Sequence, residues 1–213
     1  MNINRIFYEG NIYHIFNKSI SNYQIFRSDS LASHFKTTLN YYNSVTKKLC
    51  FSKALKKPLK LPHIINRGSG NIVFLLAYCI MPDHYHLLLN VKDESLISKY
   101  ISNVQNSYTH YYNKINNRQG PLWQNRFRSV YIHNNVTFLH VLRYIHLNPT
   151  TAEIVNLPEK WKWSSYADYI SHPEILKMNR EISIRSIPLL RRFTEDQISY
   201  QKTIKGIRRQ LHE

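Results

Sequence analysis

The segment His84-Tyr85-His86 contains the residues of this 213-residue chain that are best suited to chemistry. It lies in an otherwise apolar run, residues 75–89, which is typical of a buried strand. Because side chains two positions apart in a strand project from the same face, the two imidazoles would lie side by side, as ligands of a divalent metal ion do. The alternative is that both histidines are satisfied by hydrogen bonds at a strand end, with no metal.

A second segment, residues 142–149, brings a phenol and an amide together. The apolar period predicts a helix over residues 137–148, which Pro149 stops. Tyr144 and Asn148 are four residues apart in that helix, so they share a face. A tyrosine hydroxyl and an amide oxygen would then lie close to each other on it.

Positive charge is in large excess: the chain has 29 Lys and Arg against 13 Asp and Glu, a formal net charge of +16 at pH 7. No acidic residue lies between Asp29 and Asp83, or between Glu94 and Glu153. Unneutralised cations repel one another unless an anion binds, and nucleic acid is the usual polyanion. A membrane surface is the weaker alternative, because we find no apolar stretch of bilayer-spanning length and no signal-like N-terminus. We expect a cytoplasmic protein that binds no membrane.

The scarcity of carboxylates excludes one class of nuclease. Two-metal phosphoryl-transfer sites hold their ions with several Asp and Glu side chains, whereas Asp83 is the one acid adjacent to the histidine pair in sequence. A site with one metal ion, built from imidazoles and an amide, fits this composition better.

The order of the predicted elements indicates a ferredoxin-like (RRM-like) α+β fold, an antiparallel sheet with helices on one face. Two strand-helix-strand units make up this sheet. The predicted strands are residues 11–16, 72–80, 84–91 and 129–133, and the predicted helices are residues 29–45, 95–116 and 137–148. The Lys-rich segment 46–70, interrupted by Pro and Gly, is predicted to be an exposed basic excursion.

The chain is predicted to divide into a domain of residues 1–172 and a basic helical extension of residues 173–213. In the extension, residues 186–198 are typical of a helix start with an acidic first turn. A small DNA-binding appendage and a packing arm are both compatible with this pattern.

Candidate DNA contacts fall in three places. The loop 120–128 contains Trp123, Arg126 and Arg128, side chains that stack on bases or pair with phosphate, although the indole can also serve as a loop anchor. The acid-free intervals add Arg143, Lys56 and Lys57. Three further aromatic residues of the second long helix, Tyr108, Tyr111 and Tyr112, are expected to pack against the sheet.

Five segments together resemble the HUH single-tyrosine transposases, in particular the REP-associated tyrosine transposases. They occur in that family's order over about residues 8–170. The segments are Tyr13-His14-Ile15-Phe16-Asn17, residues 77–89, Leu122-Trp123-Gln124-Asn125-Arg126-Phe127, residues 143–149 and Trp163-Ser164-Ser165-Tyr166. Each piece is short, and their joint order carries the resemblance.

The resemblance implies roles for four residues. His84 and His86 would be metal ligands, Asn148 the third ligand, and Tyr144 the nucleophile. It further implies Mg²⁺ or Mn²⁺ as cofactor, single-stranded or hairpin DNA as substrate, and a 5′-phosphotyrosine intermediate that permits cleavage and rejoining. Either a monomer or a homodimer would be compatible, because the tyrosine helix in this family can serve its own protomer or a partner's.

Two other functions remain open at this point. A non-catalytic nucleic-acid-binding module on a ferredoxin-like fold needs the basic surface but makes no demand on the histidines, Tyr144 or Asn148. A metal-dependent hydrolase of small substrates explains the histidines but leaves the charge of +16 unexplained.

Overall fold

A four-stranded antiparallel sheet forms the centre of the protein, in a computed structural model that describes residues 6–46, 51–54, 64–65 and 68–203. The strand order is β2-β3-β1-β4. The strands are β1 (Ile12–Lys18), β2 (Val73–Ile80), β3 (His84–Val91) and β4 (Arg128–Ile132). This order and the antiparallel pairing confirm the predicted ferredoxin-like α+β fold.

Seven α-helices surround the sheet, and a further helical segment covers residues 198–203 at the end of the described part of the chain. The seven helices are α1 (Asp29–Tyr42), α2 (Phe51–Ala54), α3 (Ile97–Ile115), α4 (Asn135–Thr151), α5 (Ser165–Ser171), α6 (Pro173–Met178) and α7 (Ile187–Glu195). None of the helices in the described part of the chain has the length and apolar character needed to cross a bilayer.

The two faces of the sheet are covered by different helices. Tyr85 of β3 packs against Phe35 of α1 and accepts a hydrogen bond from Gln105 of α3, so α1 and α3 lie on one face, as predicted. The next residue of the strand, His86, projects from the other face and contacts Tyr144 of α4. Helix α4 therefore adds a layer on the second face. Because both faces are covered, β3 is buried from Tyr85 to Val91.

Helix α1 ends at Tyr42, three residues before the predicted end, and the side chain of Asn43 explains this. Its Oδ1 accepts hydrogen bonds from the backbone N–H groups of Ile72 and Val73, at 3.0 and 2.9 Å. Its Nδ2 donates to the carbonyl of Val73. These three bonds attach the chain to the start of β2, so the backbone turns away from the helix axis at this point.

Pro149 does not stop α4, which contradicts the prediction. The helix continues to Thr151, and the N–H of Ala152 donates to the carbonyl of Asn148. Pro149 cannot donate to the carbonyl of Ile145, and its ring crowds that carbonyl, but the bonds of the following residues, such as that from Ala152 N–H to Asn148, do not need its N–H.

The segment 46–70 is not exposed throughout, which corrects a second expectation. Phe51, Ile64 and Ile65 are buried, and the ring of Phe51 contacts Tyr41 and His34 of α1. Burial of an aromatic or aliphatic side chain contributes about 1.5–3 kcal/mol, enough to hold these residues on the core. Lys56 and Lys57 lie outside the described residues, so their predicted contact with DNA stays a prediction.

The described part of the C-terminal region, residues 173–203, packs against the rest of the protein. Leu176, Ile182 and Leu190 are buried in the same core as the sheet. Ser186 caps α7 by accepting a hydrogen bond from the N–H of Leu189. Glu195 ends this helix, so its first turn contains no acidic residue; a further helical segment begins at residue 198, directly after the turn that contains Asp196.

Candidate active site

The two histidines at the start of β3 lie side by side on the face covered by α4. Their rings are perpendicular, with centroids 5.1 Å apart. The strand alternation that the sequence implied is thus present in the structure. The side chain of His84 is 25% exposed and His86 is buried, so one imidazole borders solvent and the other lies beneath it.

His84 is oriented by the neighbouring carboxylate. Its Nδ1 lies 2.5 Å from Oδ1 of Asp83, whose other oxygen is 3.3 Å from the ammonium of Lys18. Partial burial acts to raise the pKa of Asp83, but the hydrogen bond to His84 and the charge of Lys18 outweigh it, so the pKa is lowered. An ionised carboxylate only accepts, so Nδ1 of His84 carries a proton, and in the neutral ring Nε2 is then an acceptor.

His86 has one nitrogen paired and one unpaired. Its Nδ1 is 3.0 Å from Nε2 of His14 on β1, while its own Nε2 is buried and has no hydrogen-bond partner. Burial, followed by the nearby His84 and His14, lowers the pKa of His86 well below its ordinary value, so the ring is neutral. Hydrogen bonding at a strand end accounts for the paired nitrogens, but it does not account for Nε2 of His86.

The donor set fits a divalent metal ion. Both imidazoles have Nδ1 tethered, by Asp83 and His14, and both would present Nε2. Ligating histidines in proteins are held in this way, through the ring nitrogen that does not bind the metal. Within the described residues no three His, Cys, Asp or Glu side chains are grouped to hold a metal. Any further protein ligand there would be of another type, such as an amide.

Tyr144 lies beside this pair. Its ring centroid is 5.4 Å from that of His86 and 6.3 Å from that of His14, and the residue is 39% exposed. The three side chains His84, His86 and Tyr144 border one cleft of about 270 Å³. Phe16, Asn17, Lys18, Gln124, Asn125 and Arg128 complete its lining along with Tyr85. A phenol, two imidazoles and two cationic side chains therefore share one opening to solvent.

Asn148 follows Tyr144 by one turn of α4 and is half-buried. It is not among the described residues that line the cleft. Its backbone carbonyl accepts from Ala152, within the last turn of the helix. The ligand role implied for its side chain stays a prediction.

The predicted DNA contacts in the loop after α3 separate into two groups. Arg126 and Arg128 are exposed, and Arg128 borders the cleft. Trp123 instead donates its indole N–H to Thr109 of α3 at 3.1 Å, and its ring packs against Tyr85. This packing is that of a loop anchor, the alternative that the sequence left open.

Arg143 points toward the C-terminal region. Its guanidinium lies over the ring of Phe193, 4.7 Å from the centroid, and donates to the carbonyl of Phe193. These partners belong to the protein itself, so the contact joins α4 to α7. Its predicted role in binding DNA stays a prediction.

The amino-acid sequence did not identify His14 as part of the site. It also suggested no functional role for Lys18, Gln124 or Asn125. His14 lies 72 residues from His86 in the chain, and no spacing rule connects them. The available signal was a lone polar ring in the strand 11–16. It becomes informative once β1 is known to pair with β3.

Comparisons with known proteins point to one family. The family of IS200-like transposases matches residues 29–148, which contain both histidines, Tyr144 and Asn148. The chain is also 27% identical over 101 residues to a Haemophilus influenzae protein named as a REP-associated tyrosine transposase. The aligned part is 43% of this chain and 57% of that relative, so the chain spans little more than half the relative's length.

A solved structure of a REP-associated tyrosine transposase bound to a REP hairpin has a similar fold. It superimposes with a TM-score of 0.59 at 14% identity, covering 81% of this chain and 86% of that chain. At this identity the likeness concerns the fold alone.

Proposed function

The chain belongs to the family of IS200-like transposases, and from that premise we propose that it cleaves and rejoins single-stranded or hairpin DNA with Tyr144 as the nucleophile. The observation that carries the proposal is the position of the Tyr144 ring, 5.4 Å from a buried imidazole whose Nε2 has no partner. The site thus combines a phenol, an imidazole nitrogen without a hydrogen-bond partner and cationic side chains. This combination suits attack on a phosphodiester.

Tyr144 performs the covalent step in this proposal. Its Oη attacks the scissile phosphorus and the bond from phosphorus to the 3′-oxygen breaks. The products are a 5′-phosphotyrosine and a strand whose 3′-oxygen takes up a proton. Because the phosphodiester energy is kept in the tyrosine link, a 3′-hydroxyl can attack it in turn and rejoin the strands without ATP.

The histidines would hold a divalent ion, Mg²⁺ or Mn²⁺, through their Nε2 atoms, with Asn148 as the candidate amide ligand. When bound, the ion would supply charge neutralisation for the phosphate, which matters because a phenol with an ordinary pKa of about 10 is a weak nucleophile. Asp83 and His14 orient the two rings. Lys18 and Arg128, at the edge of the cleft, would pair with neighbouring phosphates of the strand.

The substrate part of the proposal has two supports. The net charge of +16 suits a polyanion, and the solved structure with a similar fold is bound to a hairpin. The cleft is open to solvent, so an unpaired strand can reach Tyr144 in line.

The test is covalent capture of DNA. A hairpin oligonucleotide labelled at its 3′ end is incubated with the protein and Mn²⁺ and run on a denaturing gel, because a 5′-phosphotyrosine retains the 3′ fragment. We expect the wild-type protein to form a labelled adduct. Tyr144→Phe removes only the nucleophilic oxygen and should abolish the adduct while the hairpin still binds.

Tyr108→Phe is the matched control, since it removes the same oxygen from a buried tyrosine of α3 on the other face of the sheet. This variant should form the adduct. An adduct that persists in Tyr144→Phe would refute the assignment of the nucleophile. Hairpin binding by the wild type with no adduct under any divalent ion would favour the non-catalytic binding module.

A further inference from the structure

We propose that His14 is a positioning residue, whose Nε2 accepts the hydrogen bond from Nδ1–H of His86 and thereby fixes Nε2 of His86 as an open acceptor. This inference rests on the proposed function, because it explains how the buried histidine is kept ready for a divalent ion.

The sheet register places the two rings together. Phe16 of β1 pairs with His86 of β3, and His14 pairs with Leu88, so His14 and His86 are diagonal neighbours on the same face. Their ring centroids are 5.1 Å apart and the planes differ by 28°. The nitrogens facing each other, Nε2 of His14 and Nδ1 of His86, are 3.0 Å apart, the separation of a hydrogen bond.

One of these two nitrogens must donate, and the surroundings decide which. If His14 donated, the proton of neutral His86 would be on its Nε2, a buried N–H with no acceptor within hydrogen-bond reach. That arrangement leaves a polar hydrogen unpaired and blocks the nitrogen as a ligand. If His86 donates, its Nε2 presents a lone pair instead, and this is the form that a metal ion requires.

The pair His14 and His86 thus repeats the arrangement of Asp83 and His84, with a different acceptor. In both cases the acceptor contacts Nδ1 of the β3 histidine, at 2.5 Å for the carboxylate and 3.0 Å for the imidazole. The carboxylate borders solvent and is balanced by Lys18, whereas His14 is 8% exposed. A neutral ring serves as acceptor at the buried position, where an uncompensated carboxylate would be costly.

Two variants of His14 separate hydrogen bonding from packing. His14→Phe keeps a ring of similar size but removes the acceptor, and His14→Gln places an amide oxygen near the position of Nε2. Binding of Mn²⁺ in the absence of DNA is measured by electron paramagnetic resonance of the free ion. We expect His14→Phe to bind Mn²⁺ about 10–100-fold more weakly, the usual effect of losing such a partner, and His14→Gln to restore most of the affinity.

The tautomer itself is read in the wild-type protein, so the inference does not depend on either variant folding. Long-range ¹H–¹⁵N spectra of metal-free protein labelled at histidine, with the signals of His86 assigned by their loss in His86→Gln, should show His86 protonated on Nδ1. Protonation on Nε2 would overturn the proposal, as would wild-type Mn²⁺ affinity in a folded His14→Phe variant.

Failure of the proposed function would give a different experimental result from failure of the role of His14. If the wild-type protein binds no Mn²⁺ or Mg²⁺ at all, the proposed metal site is refuted, and so is the positioning role of His14. If the wild type binds Mn²⁺ and His14→Phe binds equally well, only the role of His14 is refuted and Tyr144 chemistry is untouched.

Discussion

The two faces of the central sheet both contain tyrosines and other polar rings, but a buried ring nitrogen without a hydrogen-bond partner, Nε2 of His86, lies on one of them. On the face covered by α1 and α3, Tyr85 Oη accepts from Gln105, and Tyr108 Oη donates to the carbonyl of Ile25 at 2.6 Å. Trp123 donates its N–H to Thr109 of α3. The polar ends of these rings are used to hold the fold.

On the face covered by α4, His86 and Tyr144 have a different environment. Nε2 of His86 is buried with no hydrogen-bond partner, and Tyr144 is 39% exposed at a cleft. A buried nitrogen left unpaired costs free energy, and beside a cleft this cost supports the proposal that another group binds there. The comparison separates tyrosines that pack the fold from the proposed nucleophile by the environment of each side chain, because residue type alone does not distinguish them.

Replacement of either histidine of the pair is expected to have the largest effect on adduct formation, and it tests this comparison most directly. We expect His84→Ala and His86→Ala to form no adduct with hairpin DNA at Mn²⁺ concentrations that saturate the wild type, because each removes one of the two imidazoles proposed to hold the ion. Tyr108→Phe, which alters a buried tyrosine of α3 on the other face of the sheet, should form the adduct. Adduct formation on denaturing gels and circular dichroism of each variant provide the measurements.

Two results would contradict this prediction. A histidine variant that unfolds outright would favour a structural role for the pair. Full adduct formation by the wild type in excess chelator would remove the metal from the chemistry.

A second prediction concerns which copy of the chain supplies the tyrosine. Tyr144 lies beside His86 of its own chain, and α4 is held by α7 through Arg143 and Phe193. We therefore expect Tyr144→Phe mixed with His86→Ala to form no adduct, since neither chain has a complete site. Adduct in the mixture, absent from each variant alone, would indicate a tyrosine acting in the partner's site.

A third, smaller effect concerns the basic side chains near the cleft. Binding to a single strand should weaken with log salt at a slope of about −0.7 for each phosphate contact, through release of counterions. Arg126→Ala combined with Arg128→Ala should reduce this slope and weaken binding to hairpins of any sequence. Lys99→Ala combined with Lys114→Ala removes the same charge from exposed positions of α3, on the other face, and should leave the slope unchanged.

Salt titrations of hairpin binding, followed by fluorescence anisotropy, compare the two double variants. Equal slopes in both would show that the loop 120–128 is structural and that the DNA footprint lies elsewhere.

The smallest expected effect is on stability, and it tests the packed face. Tyr108→Phe removes the donor to the carbonyl of Ile25 and should lower the free energy of unfolding by about 1 kcal/mol. Tyr131→Phe, at a residue of β4 that is 49% exposed, should change it by less than about 0.5 kcal/mol. Urea denaturation measures both, and equal values would contradict the assignment of Tyr108 to the core.

The elements predicted best were those with a strong local pattern. Strand β3 has the predicted bounds, residues 84–91, because a continuous apolar run follows the turn at Pro82 and Asp83. The ends of α1 and α4 were predicted less well. Asn43 ends α1 through bonds to residues 29 and 30 positions away, and no local rule includes such partners.

The same limit applies to the candidate site. The loop 120–128 has a composition equally suited to stacking on bases and to anchoring a loop, and the contact of Trp123 with Tyr85 and α3 depends on where the loop folds back. Arg143 is basic, but its contact with Phe193 depends on the packing of α7.

The amino-acid sequence by itself determined that His84 and His86 share a strand face, and that the chain has a surplus of 16 positive charges, because strand alternation and charge are local or additive properties. The resemblance implied Tyr144, but only the tertiary structure placed its ring beside those histidines and left Nε2 of His86 without a hydrogen-bond partner. Both depend on strand pairing and helix packing between distant segments, which the spacing of residues along the chain does not specify.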